Sequence, residues 1–144
     1  MKIIISKVEI VYWSGTGNTA SMAESVADGV KSKGGEAELF ECSGFDADML
    51  DNFDAVAFGC PAMGAETLEE DEFEPLFADC ESKLSGKKLG LFGSYGWGDG
   101  DWMRNWEERC ISDGASLVHD PIICNEAPDA DAVASCEELG AALV

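Results

Sequence analysis

A chain of 144 residues is long enough to bury a hydrophobic core, and residues 1–144 are predicted to form a single domain. It carries 29 Asp and Glu residues against 9 Lys and Arg residues, which gives a formal net charge of −20. Such a surface repels nucleic acid and anionic membranes and attracts basic proteins over long range. We therefore expect a basic protein partner, although an acidic surface can also serve solubility alone.

The first apolar run, 3–5, is too short for a signal peptide or a membrane span, and no later stretch reaches membrane length. We therefore expect a cytoplasmic protein. No two cysteines have the short spacing that binds zinc or an iron–sulfur cluster. Reduced, structural thiols are expected at Cys42, Cys60, Cys80, Cys110, Cys124 and Cys136.

Short apolar runs alternate with helical patterns along the chain. The predicted strands are 8–13, 36–40, 54–59, 88–94 and 115–124, the last interrupted near 120–121. The predicted helices are 20–33, 70–84, 101–112 and 129–144, with an irregularity at Pro75 and a single helical turn within 42–51. This alternation predicts an α/β fold, a three-layer doubly wound sandwich around a five-stranded parallel sheet.

The loop between the first strand and the first helix has the composition of an anion-binding turn. It lacks the Lys of a nucleoside-triphosphate P-loop and the third glycine of a dinucleotide fingerprint. Backbone N–H groups at a helix N-terminus can bind a phosphate without a formal positive charge, so a terminal monophosphate is predicted. A simple helix-capping turn would have a similar composition. The loop consists of Ser14, Gly15, Thr16, Gly17, Asn18 and Thr19.

Two further loops follow strands that end at the same edge of the sheet, where ligands of such folds bind. Trp97 stands between glycines, which is unusual for a core tryptophan and favours a platform for a flat ring. In contrast, Trp102 and Trp106 are four residues apart on a predicted helix and should pack in the core. A phosphorylated heterocycle is therefore the predicted ligand. The two loops comprise Pro61, Ala62, Met63, Gly64, Ala65 and Glu66, and Ser94, Tyr95, Gly96, Trp97 and Gly98.

Three segments, 11–19, 59–64 and 86–98, resemble those of short-chain flavodoxins in order and spacing. The resemblance implies the strand order 2-1-3-4-5 and a non-covalently bound FMN. It implies a low-potential one-electron carrier that shuttles between semiquinone and hydroquinone, not an enzyme with its own substrate. It also implies a monomer that serves redox proteins with basic docking surfaces.

The resemblance assigns roles to individual residues. Residues 14–19 would hold the FMN 5′-phosphate, and the Ser94 hydroxyl would add a hydrogen bond. Trp97 would stack on the outer flavin face, while Met63 would cover the inner face. Glu66 would accept a hydrogen bond from flavin N3–H.

The resemblance extends more weakly to Asn125, which would reach the ribityl chain from the end of the last strand. Two features depart from the family pattern: residues 1–7 precede the usual start, and Ala65 replaces an expected Asp, Asn or Ser. The Gly64 carbonyl would accept from flavin N5–H. The β-carbon of Ala65 would disfavour the alternative turn, so we expect Ala65→Gly to lower the oxidised/semiquinone potential.

Two other functions fit parts of the pattern. A flavin reductase acting on quinone or NAD(P)H would need an open substrate pocket over the flavin, where Trp97 and Met63 are expected instead. A signalling domain phosphorylated on Asp would need clustered carboxylates after the first strand, but residues 12–14 are Tyr, Trp and Ser.

Overall fold

A computed structural model describes residues 5–64 and 66–144, and it contains one parallel sheet flanked by helices. The expectations for Ala65 and for residues 1–4 lie outside the described residues. The strands are β1 Lys7–Tyr12, β2 Glu36–Glu41, β3 Ala55–Gly59, β4 Lys88–Tyr95, β5 Ser116–Leu117 and β6 Ile122–Asn125. The helices are α1 Asn18–Ser32, α2 Phe73–Cys80, α3 Asp101–Ser112 and α4 Ala130–Leu143.

The strand order β2-β1-β3-β4-β5 confirms the predicted doubly wound topology. The predicted fifth strand consists of two short segments, because β5 and β6 both pair in parallel with β4. Pro121 immediately precedes β6 and has no N–H to donate to a ladder, which explains the interruption expected from the sequence. None of the helices within residues 5–64 and 66–144 is long and apolar enough to cross a membrane.

The two faces of the sheet are packed differently. On one face, α1 and α4 approach so closely that a β-carbon on Gly29 would lie 2.0 Å from the Glu137 carbonyl oxygen. A β-carbon on Gly140 would likewise lie 2.0 Å from the Val26 carbonyl oxygen. On the other face, aromatic rings fill the space beneath α2 and α3, and Trp106 packs edge-on against Phe73 and Phe77. Trp102 and Trp106 are each 2% exposed, which confirms their predicted core positions.

Helix α2 is shorter than the predicted 70–84 segment. The Glu69 carboxylate accepts hydrogen bonds from the backbone N–H groups of Asp71, Glu72 and Phe73, so the helix begins only at Phe73. It ends at Cys80, and a 3₁₀ turn, Glu81–Lys83, follows. The irregularity predicted at Pro75 was wrong, because Pro75 lies in the first helical turn, where no intrahelical N–H bond is needed.

Glu9 is an unusual residue of the sheet, because its carboxyl group is buried. Its side chain points from the middle of β1 into the protein and is 0% exposed. Neither carboxylate oxygen has a hydrogen-bond partner within the described part of the chain. Burial raises the pKa of Glu9 to about 8, although nearby Lys87 partly offsets the shift. The Lys87 ammonium donates hydrogen bonds to the carbonyl oxygens of Leu50 and Phe53 and not to Glu9. With a pKa of about 8, the Glu9 carboxyl is mostly protonated at neutral pH.

The six cysteines are free. Burial raises the pKa of the Cys110 and Cys136 thiols to about 12, and it also raises the pKa of Cys60. These thiols remain protonated and behave as small apolar side chains.

Candidate cofactor site

The loop after β1 is folded around its own backbone. Gly17 is the N-cap of α1 and has φ 96°, a left-handed conformation that a glycine adopts without steric cost. The Ser14 hydroxyl oxygen accepts from the N–H groups of Gly17 at 3.1 Å and Ala20 at 3.3 Å. No acidic residue lies in the first turn of α1, so the positive end of the helix dipole faces the loop unopposed.

Two contacts fix this loop on the sheet. The Trp13 ring lies beneath it, where a β-carbon on Gly15 would be 3.0 Å from the Trp13 Cη2 atom. The buried hydroxyl oxygens of Thr19 and Ser94 are 3.4 Å apart, which joins the start of α1 to the end of β4. Both hydroxyls therefore face the same small volume as the helix N-terminus.

A cavity of ≈ 240 Å³ opens between the three predicted loops. No Lys or Arg contributes to its wall within the part of the chain that the structure describes. Apart from the Glu126 carboxylate, its wall offers neutral hydroxyl, amide and peptide groups beside aromatic rings. The lining residues are Trp13, Ser14, Gly15, Thr16, Asn18, Thr19, Pro61, Ala62, Met63, Ser94, Tyr95, Gly96 and Glu126.

The second loop ends in a tight hairpin at the mouth of this cavity. The backbone groups of Met63 and Thr67 exchange hydrogen bonds, with N···O distances of 2.9 and 3.1 Å. The hairpin tip carries Gly64, which is exposed and has φ 40°. Glycine adopts this positive φ without steric cost.

Glu66 connects the hairpin to the third loop. Its Oε1 atom accepts from the N–H groups of Asp99 and Gly100, each at 3.3 Å. A β-carbon on Gly98 would lie 2.4 Å from the same oxygen, so only glycine fits at that position. Glu66 has φ 56°, an uncommon conformation for a residue with a β-carbon. The described contacts of Glu66 are with residues 98–100, and the role assigned to it toward flavin N3–H stays a prediction.

Trp97 and Asn125 also lie beside the cavity without lining it. Trp97 is 66% exposed at the tip of the third loop, so its ring stands out from the protein surface. The Asn125 amide donates to the Tyr95 carbonyl oxygen at 3.2 Å, joining the ends of β6 and β4. Their assigned contacts with a flavin and a ribityl chain stay predictions.

The sequence analysis missed Glu126 as a cavity residue. Its backbone has φ 59°, and its N–H donates to the Tyr95 carbonyl oxygen at 2.8 Å. A β-carbon on Gly96 would lie 3.3 Å from Glu126 Oε1, which places the carboxylate against the third loop. The available signal was its position directly after the last strand, at the edge where the other three loops end.

The site fits a phosphorylated flavin by the chemistry of its donors. The N-terminus of α1, the Thr19 and Ser94 hydroxyls and the left-handed Gly17 together form a cradle for one phosphate. Met63 and the exposed Trp97 supply apolar surface outside the cradle, as a flat ring system requires.

Comparison with known proteins agrees with this geometry. The family model described as Flavodoxin matches residues 10–140. A flavodoxin of Clostridium beijerinckii is 49% identical, with 92% of this chain and 96% of that protein aligned. A flavodoxin of Megasphaera elsdenii is 47% identical, with 94% and 96% aligned. The solution structure of two-electron reduced Megasphaera elsdenii flavodoxin superposes with a TM-score of 0.87 and covers 94% of this chain and 97% of that chain. The chain therefore belongs to the flavodoxin family of FMN-binding electron carriers.

Proposed function

We propose that this chain is a freely diffusing, monomeric carrier in the cytoplasm, which takes single electrons from one redox protein and passes them to another. It acts as one domain, 1–144, and has no substrate of its own. The observation that carries the proposal is the phosphate cradle, where the N-terminus of α1 meets two buried hydroxyls and no cation lines the wall among the described residues.

The cofactor residues of this proposal are those of the three loops together with Asn125. Bound FMN supplies one-electron redox chemistry at the site. The Ser14 hydroxyl holds the loop closed, while Thr19 and Ser94 direct their hydroxyls toward the phosphate. Trp97 covers the outer side of the ring and Met63 the inner side, which excludes water and leaves little room for a second substrate.

The charges of the chain tune the potential of the site. The Glu126 carboxylate lies in the cavity wall, and no Lys or Arg of the described residues accompanies it there. Negative charge that the bound FMN gains on reduction is therefore poorly stabilised beside Glu126, which lowers the reduction potential of the FMN. The same excess of carboxylates steers partners with basic docking surfaces toward the chain.

An absorbance and fluorescence titration of the purified chain with FMN tests the proposal. We expect one FMN per chain, and we expect riboflavin, which lacks the phosphate, to bind at least tenfold more weakly. A chain that takes up no FMN, or that binds riboflavin equally well, would contradict the proposed site. Steady-state oxidation of NADH by the FMN-loaded chain at a rate above that of free FMN would contradict the carrier function.

Salt dependence tests the proposed partners separately. Electron transfer from the reduced, FMN-loaded chain to a basic cytochrome c should slow steeply as salt is added, because charges are screened beyond about 10 Å at 0.1 M. A rate that is constant from low to high salt would remove the acidic surface from partner recognition.

A further inference from the structure

We propose that the outer edge of β6 is the docking site for an extended, lysine- or arginine-bearing segment of the redox partner, which joins the sheet as an additional strand. This inference rests on the electron-carrier function proposed above, since it concerns the partner of that site. It adds a location and a binding mode that the net charge alone does not specify.

Among residues 5–64 and 66–144, β6 pairs only with β4, which leaves the other edge of its backbone free. Glu126 N–H donates to the Tyr95 carbonyl oxygen on β4 at 2.8 Å. Because backbone groups of a strand alternate in direction, Ile122 and Cys124 also face β4. The N–H and C=O groups of Ile123 and Asn125 therefore point away from the sheet. Unpaired edge groups of this kind are the template on which an extended peptide adds.

A groove of ≈ 420 Å³ runs along this edge, between β6 and the first turns of α4. Asp129 and Asp131 contribute carboxylates to its wall, and no Lys or Arg of the described chain lines it. Ile123 is 39% exposed at the same edge and lies against Gly100 at the base of the third loop. The free backbone edge, the two carboxylates and the exposed Ile123 side chain together favour a partner strand in which basic and apolar residues alternate.

The groove adjoins the cofactor site at one residue. Tyr95 lines both the groove and the ≈ 240 Å³ cavity, so a segment bound at β6 contacts the wall of the cofactor cavity. A partner held there would bring its own redox centre to the same end of the sheet. This proximity is what electron transfer requires of a docking site.

The opposite edge of the sheet is less suitable for the same partner. The groove beside β2 is larger, ≈ 650 Å³, but Lys7 and Lys31 line it together with Glu36 and Glu38, so its wall lacks the uncompensated negative charge of the β6 groove. Its lining also includes the first residues of β1 and β2, at the end of the sheet away from the cofactor cavity. Strand β6 has only four residues, which limits the number of backbone hydrogen bonds and favours a complex that dissociates quickly.

NMR spectroscopy of the ¹⁵N-labelled, FMN-loaded chain tests this inference directly. The probe is a capped eight-residue peptide in which Lys and Val alternate. We expect binding to shift the Ile123 and Asn125 amide signals and to slow hydrogen exchange at both at least fivefold. A peptide with Glu in place of Lys should bind at least tenfold more weakly. Unchanged exchange at both amides, or shifts concentrated on β2, would overturn the proposal.

Three variants separate backbone pairing from side-chain contact. Ile123→Pro removes the outward N–H and leaves the hydrogen bonds between β6 and β4 intact. Ile123→Ala keeps that N–H, and Leu39→Pro removes an outward N–H from the edge of β2, since Glu36 N–H donates to β1 through Ser6. We expect Ile123→Pro to raise the peptide dissociation constant at least fivefold and each control to change it less than twofold. Equal effects at the two edges would overturn the proposal, and the exchange measurement decides it if Ile123→Pro does not fold.

The same variants show which proposal fails. FMN stoichiometry is measured for each variant and should remain one per chain, because Ile123 does not line the cofactor cavity. Ile123→Pro should slow electron transfer to basic cytochrome c at least threefold at low salt. Normal FMN binding with an unchanged transfer rate would reject docking at β6 and leave the carrier function standing. Absence of FMN binding in the unaltered chain would instead reject the carrier function.

Discussion

The two ends of the sheet handle charge in opposite ways. At the cofactor end, no lysine or arginine of the described residues lines the cavity, and neutral hydroxyl and peptide groups form the cradle. At the other end, Lys7 and Lys88 begin β1 and β4, and Lys87 donates to two backbone carbonyl oxygens. Lys31 lies in the last turn of α1, where a cation stabilises the negative end of the helix dipole.

This difference shows how a strongly acidic chain places its few cations. Each of these lysines lies far along the strands or helix from the cofactor cavity, and Lys87 binds backbone carbonyl oxygens there. A bound anionic cofactor consequently interacts with oriented dipoles instead of formal charges. Such a site can bind a phosphate tightly without making further negative charge favourable.

The buried carboxyl group of Glu9 offers the strongest test of the difference between the two ends of the sheet. The pKa of Glu9 is about 8 in the folded chain, against an ordinary value of 4.5. Between these pH values the unfolded chain releases a proton that the folded chain keeps, so stability falls as pH rises. The slope should approach about 1.4 kcal/mol per pH unit and level off above pH 8. Glu9→Gln should flatten this slope in urea unfolding measured from pH 5 to 9.

Glu38→Gln is the matched control for Glu9→Gln, because it makes the same substitution at the exposed neighbour on β2. It should leave most of the slope in place, because burial raises the Glu9 pKa more than the Glu38 charge does. FMN affinity should not change in either variant, since neither residue lines the cofactor cavity. An equal pH slope in the Glu9→Gln variant and the unaltered chain would show that Glu9 ionises normally.

At the cofactor end, the hydroxyl of Ser94 should matter for binding more than for folding. Ser94→Ala should weaken FMN binding by about 1.5–3 kcal/mol, the range for a hydrogen bond to a charged group. Riboflavin binding should change little, because it lacks the phosphate. Fluorescence titrations with both ligands measure the difference, and an equal loss for FMN and riboflavin would place Ser94 away from the phosphate.

Trp97 should likewise matter for binding more than for folding, with a smaller lower limit to the expected loss of affinity. Trp97→Ala should weaken FMN binding by about 1–3 kcal/mol, the range for one aromatic stack. Because Trp97 is 66% exposed, unfolding of the FMN-free chain should be almost unchanged. Trp97→Phe should recover part of the affinity. Unchanged affinity in Trp97→Ala would mean that the ring does not stack on the flavin.

The smallest effect is expected at the opposite end, on the surface. Lys83 forms an ion pair with Asp51 at 3.0 Å, but the Asp51 side chain is 68% exposed. Lys83→Met should leave the free energy of unfolding almost unchanged, because solvent screens exposed pairs. It should not alter FMN affinity. A clear loss of unfolding free energy, measured by urea unfolding, would show that the cations at this end stabilise the fold.

Local composition indicates only some parts of the candidate site. Gly17 and Trp97 stand out because a left-handed turn and a tryptophan between glycines each have a local physical reason, whereas Ser94 was assigned through the family resemblance. Alternating patterns and right-handed crossovers limit the topology, the resemblance implies the strand order that the structure has, and Pro121 marks the interruption of the last strand.

Features that depend on contacts between distant parts of the chain were not predictable. The Glu66 carboxylate meets the Gly100 N–H across 34 residues, and nothing near Glu66 specifies that partner. The full burial of Glu9 in an otherwise apolar strand likewise depends on the segments that cover it. The start of α2 was also missed, although it depends on a local contact, in which the Glu69 carboxylate accepts from the Phe73 N–H four residues later.

The glycine contacts between α1 and α4 make the far end of α1 part of the cofactor site. Gly29 lies 12 positions after Gly17, the N-cap of α1, which corresponds to about 18 Å along a stiff helix. With backbone against backbone at Gly29 and Gly140, α1 cannot slide or tilt without moving α4. A methyl group added at Gly140 would push against helix α1. Because α1 is stiff, this push would displace the phosphate loop at the N-terminus of that helix. The affinity for FMN should therefore report changes in the packing of α1 against α4, although this contact lies away from the cofactor cavity.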